Sequence, residues 1–397
     1  MINKKMLALG QKRSAIRELF EFGRKRKAEI GAENVFDFSI GNPSVPAPEK
    51  VTQVMKELLE TVDPVQLHGY TSAQGDASVR AAIAAAEEER SGQPVSPDLI
   101  YMTCGAAASL TVSLHALVNP GDEVIVLAPY FPEYRVFAEK AGALLVEVPC
   151  LPDTFQIDFD ALAAAISPRT KALILNSPNN PTGAVIPAAD LARLGDLLRE
   201  KEADCDGEIY LICDEPYRAL VYGDVEVPYV PAFYERTLVC YSYSKALSLP
   251  GERIGYILVP PTMPNAAEIY AAVCGAGRAL GFVCAPALMQ YAVAKCGNLT
   301  ANLSVYEENR RILSEGLADI GYTFTAPDGA FYLFVKALEE DAAAFCEKAK
   351  DFELLLVPSD SFGVKGYLRI SYCVSTQQIQ RALPAFRALY ESYQKEN

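Results

Sequence analysis

From about residue 75 the chain alternates between two spacings of apolar residues. GDASVRAAIAAAEEERSG, residues 75–92, repeats every three or four positions and predicts a helix. DEVIVLAPYF, from Asp122, is a continuous apolar, β-branched run and predicts a buried strand. Further helices are expected at 105–118, 158–166 and 187–202. Further strands are expected at TKALILNSPNNPTG, EIYLICDEPY, TLVCYSYSK and RIGYILV. Strands alternating with helices imply an α/β fold whose sheet is mainly parallel and covered by helices on both faces. No helix-length segment separates TLVCYSYSK from RIGYILV, so one antiparallel neighbour is expected there. Upstream, RSAIRELFEFGRKRKAEI, residues 13–30, places Ile16, Leu19, Phe20 and Gly23 on one helical face. After residue 285 the texture changes. A long helical stretch, about 286–317, leads to YTFTAPDGAFYLFV, a helix, ELLLVPSDSFGVKGYLRISYC and a terminal helix. The expected division is an N-terminal arm with part of a small domain (1–45), a large domain (46–285), and an interdomain helix with a smaller α+β domain (286–397).

Composition narrows the function. Half of the 397 residues are apolar and 22% are charged, with net charge −14 and a pI of about 4.8. That profile suits a globular protein with a large core and disfavours nucleic-acid or anionic-membrane partners, which need a positive footprint. The RKRK run at 24–27 is then a solvated helix face. No apolar run reaches the roughly 18 residues of a membrane span, and MINKKMLALGQKRS lacks the apolar core of a signal peptide. Ten scattered cysteines without a CxxC pair point to a reducing, cytoplasmic setting rather than a disulfide framework or zinc site. Only two histidines are present. His68, in the Gly-rich LHGYTSAQG, is a candidate for lining a site, and His115 for packing in a helix. Neither lies in a GxSxG or HExxH pattern.

Candidate chemistry collects at the strand ends, where open α/β sheets bind ligands. Phe131 follows DEVIVLAPY, Asn180 follows ALILNSPN, Asp214 and Tyr217 follow IYLIC, and Ser242, Ser244 and Lys245 follow TLVCY. Each alone has an ordinary reading: a turn asparagine, a capping aspartate, a core tyrosine, a solvated lysine. Together they deliver an aromatic ring, a carboxylate and an amine to one edge. Gly105, Ala106 and Ala107 open a helix whose free N–H groups form an anion cradle, and Arg253 is a second anion ligand. An amine, a carboxylate, a stacking aromatic and a phosphate cradle describe a pyridoxal phosphate site.

The chain resembles fold-type I, class I/II aminotransferases (aspartate aminotransferase-like) over nearly its whole length. The resemblance rests on NNPTG, DEPY, SYSKALSLPGERIGY and YLRISY, in that order. It implies a pyridoxal 5′-phosphate enzyme with the seven-stranded-type sheet of the PLP-dependent transferase fold, and a homodimer with shared active sites. It also implies roles. Lys245 holds the cofactor as an internal aldimine and shuttles a proton. Asp214 pairs with the pyridine nitrogen, Tyr217 and Asn180 hydrogen-bond the ring oxygen, and Phe131 stacks on the ring. Ser242, Arg253, Gly105 and the Ala106 and Ala107 amides hold the phosphate, with Ser244 beside them. Arg369 grips the substrate carboxylate as a bidentate fork, helped by Gly41 in SIGNPS. Tyr70 reaches the neighbouring subunit's phosphate.

One departure bears on substrate. Thermophile-type bacterial aspartate aminotransferases carry a lysine for the distal carboxylate where this chain has Ala107, in TCGAAASL. Arg278, in CGAGRALGF, is the candidate replacement. Aspartate is the first expected donor, with an aromatic amino acid or alanine as alternatives and 2-oxoglutarate as acceptor. A C–S β-lyase on the same scaffold is the rival activity. A non-catalytic regulator is the remote rival, and it is disfavoured because residues 1–40 contain no helix-turn-helix.

Overall fold

The structure, a computed structural model, describes residues 2–11, 15–205 and 207–396. Its main sheet has seven strands in the order Ile100–Thr103, Gly255–Leu258, Thr237–Ser242, Tyr210–Asp214, Thr170–Asn176, Glu123–Ala128, Leu144–Pro149. Gly255–Leu258 runs antiparallel to both its neighbours, and the other pairings are parallel. The antiparallel strand is the RIGYILV segment, as the short connection requires: crossing back to parallel needs a dozen or more residues.

The two faces of the sheet are covered separately. Val124 and Val126 pack with Leu110 and Leu114 of the helix Ala106–Leu117. Ile125 and Leu127 alternate to the other face, against Leu191, Leu194 and Leu198 of the helix Ala188–Glu202. Strands buried on both faces read as continuous apolar runs, which is why the pattern predicted them. Two strands escaped that reading: Ile100–Thr103, only four residues long, and the edge strand Leu144–Pro149, whose side chains are mostly part-exposed.

The expected helix over 13–30 is Ala15–Ile30, with positions 13 and 14 outside the described residues. The long helix expected over 286–317 is corrected. Two helices, Ala287–Ala294 and Ser304–Ile320, flank a connection in which Gly297 adopts φ +53°. That left-handed conformation cannot continue an α-helix. Beyond it, Tyr367–Ser371 lies antiparallel between Val357–Pro358 and Tyr332–Lys336, and Phe36–Asp37 pairs in parallel with Leu354–Leu355. Apart from Val357–Pro358, these elements share one apolar cluster that includes Phe38, Phe331, Phe345 and Phe386. Among the described residues no helix is long and apolar enough to cross a membrane, and no group of ligating side chains could hold a metal ion.

Candidate active site

Parallel pairing aligns the strand ends. Asn176 stands opposite Asp214, and Asp214 opposite Cys240, two residues before Ser242. Beyond these ends lies a cavity of about 290 Å³ whose lining includes Asp214, Tyr217, Lys245, Arg253 and Arg369.

Asp214 is buried. Its Oδ2 accepts a hydrogen bond from the Tyr134 hydroxyl at 2.6 Å, and its Oδ1 has no partner. Burial pushes its carboxyl up to about 7, the Tyr134 hydrogen bond acts downward, and nearby Glu215 acts upward. Asn176 holds the same junction: its Nδ2 donates to Asp214 O at 2.9 Å, and its Oδ1 accepts from Asn180 N at 2.8 Å. Phe131 lines the cavity and meets Tyr134 edge-on, ring centroids 5.7 Å apart.

Lys245 sits in the single helical turn Tyr243–Ala246, which Ser242 caps by accepting from Ser244 N. Its Nζ donates to Gly41 O at 2.6 Å and lies 5.3 Å from the centre of the Phe331 ring. Burial pushes the amine down to about 8; Cys373 opposes the shift, and Arg369 and Arg253 add to it. Ser242 Oγ and Ser244 Oγ are 2.7 Å apart at the cavity wall.

The helix Ala106–Leu117 opens on Gly105 at φ +86° with no side-chain cap, so its first amides face the cavity that Ala106 and Ala107 line. A Cβ at Gly105 would stand 3.0 Å from Arg253 Nη2, so glycine is what lets the guanidinium approach this helix end. Arg253 itself has φ +51° and donates to Pro250 O at 3.0 Å.

Arg369 is buried. It donates through Nη1 to Asn180 Oδ1 at 3.1 Å and through Nη2 to Ser39 O at 2.6 Å, while its Nε has no partner. Tyr332 lies beneath it, 4.6 Å from ring centre to guanidinium, and shares a 2.8 Å hydrogen bond with the Tyr217 hydroxyl. A Cβ at Gly41 would fall 2.0 Å from the Tyr332 oxygen.

Two expected site residues are not brought to this cavity. Tyr70 is 97% exposed, and Arg278 is exposed in the last turn of the helix Ala266–Leu280. His68 is also exposed, at the end of the short helix Pro64–His68. His115 lies in the helix Ala106–Leu117, half-buried, with Nδ1 2.8 Å from Thr111 O one turn back. Sequence reasoning missed Tyr134, Asn176, Tyr332 and the apolar wall of Ile16, Leu110 and Phe137. Tyr134 was within reach, one helical turn after Phe131. Tyr332 arrives from a distant strand and carried no local signal.

Residues 33–386 match the family described as aminotransferase class I and II. The chain belongs to that family. Its members use pyridoxal phosphate. Among its relatives, the aspartate aminotransferase of Thermotoga maritima is 30% identical over 375 residues, which cover 93% of this chain and 95% of that one. The valine–pyruvate aminotransferase of Mycobacterium tuberculosis is 32% identical over 365 residues, covering 88% and 89%. A crystal structure of an amino transferase from Eubacterium rectale is 55% identical, superposes with a TM-score of 0.97, and covers 99% of each chain. The seven-stranded sheet of this aminotransferase is thus the family's fold.

Proposed function

We propose that this aminotransferase moves the amino group of an L-amino acid to a 2-oxo acid such as 2-oxoglutarate, with pyridoxal 5′-phosphate held at Lys245. The observation that carries the reading is the unpartnered Asp214 Oδ1, buried in the same cavity as the Lys245 amine and the unpartnered Arg369 Nε. A buried carboxylate oxygen without a partner is costly. It fits a cationic ring N–H, just as the uncapped helix at Gly105 fits a phosphate. When bound, the pyridine ring takes up the electron pair left as the substrate loses its α-proton.

The chain's own residues do the rest. Asp214 keeps the ring nitrogen protonated, and Tyr134 orients Asp214. Tyr217 and Asn180 donate to the ring oxygen, and Phe131 covers the ring face. Ser242, Ser244, Arg253 and the amides of Gly105, Ala106 and Ala107 hold the phosphate. Arg369 fixes the substrate carboxylate with its planar fork, beside the Gly41 N–H, and so sets which Cα bond faces Lys245. Lys245 Nζ, held mostly neutral only above about pH 8, would take the Cα proton and deliver it to the cofactor carbon that bears the transferred nitrogen.

Aspartate is the first donor this reading names, supported by relatives such as the Thermotoga maritima enzyme. We place its distal carboxylate at Arg278, brought from a second subunit of a homodimer in which Tyr70 also crosses to the neighbouring phosphate. A specific observation favours a second reading, an aromatic or branched apolar donor. The described cavity lining carries Ile16, Leu110, Phe131 and Phe137, and its cations are Lys245, Arg253 and Arg369, each already assigned. The same reading takes 46–285 as the cofactor domain and 1–45 with 286–397 as the arm, interdomain helix and small domain. The ten scattered cysteines, with no CxxC pair, suit a reducing, cytoplasmic setting. The deciding experiment is a donor panel with 2-oxoglutarate. Glutamate formation is expected, whereas ammonia and pyruvate from cysteine would instead support β-elimination. Arg278→Ala should lower aspartate turnover and spare phenylalanine; unchanged aspartate turnover removes Arg278 from the site.

A further inference from the structure

Outside the cavity, charged side chains meet in the protein interior. Glu87, Arg218 and Glu215 have side chains 3%, 7% and 2% exposed. Arg218 Nη1 donates to Glu87 Oε2 at 3.2 Å and to Glu215 Oε2 at 3.1 Å. Its Nη2 donates to Glu87 Oε1 and, at 2.9 Å, to the Tyr256 hydroxyl. The guanidinium lies 3.7 Å over the Tyr241 ring. Tyr256 and Arg90 also donate to Glu87, each at 2.8 Å. Helix Ala77–Ser91 and the strands Thr237–Ser242 and Gly255–Leu258 thus all grip one side chain.

That side chain belongs to the segment that carries Asp214 and Tyr217. Asp214 and Tyr217 are three residues apart, as are Glu215 and Arg218, and the two pairs interleave. The first pair lines the cavity, and the second is held in the charged cluster and does not line it. A residue that holds position 218 therefore holds position 217. Burying ions is a poor way to gain stability, since the desolvation cost offsets the attraction. A planar guanidinium between two carboxylates does fix direction, which apolar contacts do not.

We propose that Glu87, Arg218 and Glu215 are positioning residues that set the Asp214 carboxylate and the Tyr217 hydroxyl against the cofactor. This rests on the cofactor reading above. With the brace lost, Tyr217 donates less well to the ring oxygen. The cofactor's proton is then held to higher pH, and turnover falls more than substrate binding does.

The test uses the holoenzyme and two variants. Arg218→Lys keeps the charge and loses the fork. The triple change Glu87→Leu, Glu215→Leu, Arg218→Met removes all three charges together, so no buried carboxylate is stranded, and Arg90, which loses Glu87, has a side chain 23% exposed and so reaches solvent. The readouts are the pH midpoint of the cofactor's visible absorbance, kcat and KM separately, and the thermal midpoint. Both variants should melt within a few degrees of the wild type, with the absorbance midpoint raised and the triple variant shifted more. In the triple variant kcat should fall about tenfold or more, the size of one lost charge-assisted hydrogen bond, with KM changed by less than about threefold. A wild-type midpoint and kcat in whichever variant folds would overturn the brace. Wild-type protein that shows no cofactor absorbance would overturn the cofactor reading, and the brace with it.

Discussion

Asp214→Asn should stabilise the cofactor-free protein at neutral pH while abolishing its usefulness. Asp214 is 5% exposed, with one oxygen bonded to Tyr134 and the other alone. Burial moves its carboxyl from an ordinary 3.8 to about 7. The folded state therefore holds this proton more tightly than the unfolded chain does. Between those two values stability falls as pH rises, and the penalty is complete above about 7. A shift of that size corresponds to about 4 kcal/mol. Asparagine can accept from Tyr134 through Oδ1 and carries no charge, so it escapes the penalty. With about 2.1 cal/mol/K of unfolding entropy per residue, ~4 kcal/mol over a chain this long raises the melting midpoint by about 5 °C. The gain should shrink to about two fifths at pH 5. Saturating pyridoxal phosphate should reverse the order, because only the carboxylate pairs with the ring N–H. Thermal unfolding of both proteins from pH 5 to 8.5, with and without the cofactor, measures all of this. A cofactor-free difference that does not change with pH, or a wild type that melts higher at pH 8, would refute the reasoning.

Three further outcomes are expected. Burial holds the Lys245 amine near 8, so below that pH it is mostly protonated; cofactor capture by the cofactor-free protein should accelerate with pH and level off above about 8, and a flat stopped-flow profile counts against the shift. Arg369→Lys keeps the charge and loses the fork, so KM for the amino acid should rise by about 10–100-fold, the equivalent of roughly 1.5–3 kcal/mol; an unchanged KM in steady-state assays would move the substrate carboxylate elsewhere. Gly105→Ala combines φ +86° with a Cβ 3.0 Å from Arg253 Nη2; fluorescence titration should show cofactor affinity weakened by about tenfold or more, in line with roughly 1–3 kcal/mol of backbone strain.

Much of the site was legible because its residues lie at strand ends or in short turns. NNPTG, DEPY and YSYSK each stand at the end of a strand that is apolar on both faces, so the position of Asn180, Asp214 and Lys245 along one edge of the sheet follows from strand length and direction. Gly105 was legible from the other side, as the glycine that opens an apolar helical run and leaves its first amides free. The break between Ala294 and Ser304 was not, since the apolar spacing on either side suits one continuous helix, although the chain between them leaves the helix and passes through Gly297 at φ +53°. Tyr134 and Tyr332 were missed because a tyrosine among apolar residues has the pattern of a core residue. Its hydroxyl acquires a role only when a partner arrives, Asp214 at 80 residues' separation and Tyr217 at 115.

The sequence by itself determined the alternation of doubly buried strands with covering helices, the antiparallel RIGYILV strand and the residue types at the ends of those strands, because these depend on local spacing and chain length. Only the tertiary structure decided their electrostatic state. Asp214 rises to about 7 and Lys245 falls to about 8 because packing removes water from both. Only the fold placed Arg218 among Glu87, Glu215 and Tyr256, and turned the neighbouring Tyr217 toward Tyr332. Burial and long-range contact set these properties, and neither is encoded in the spacing of residues along the chain.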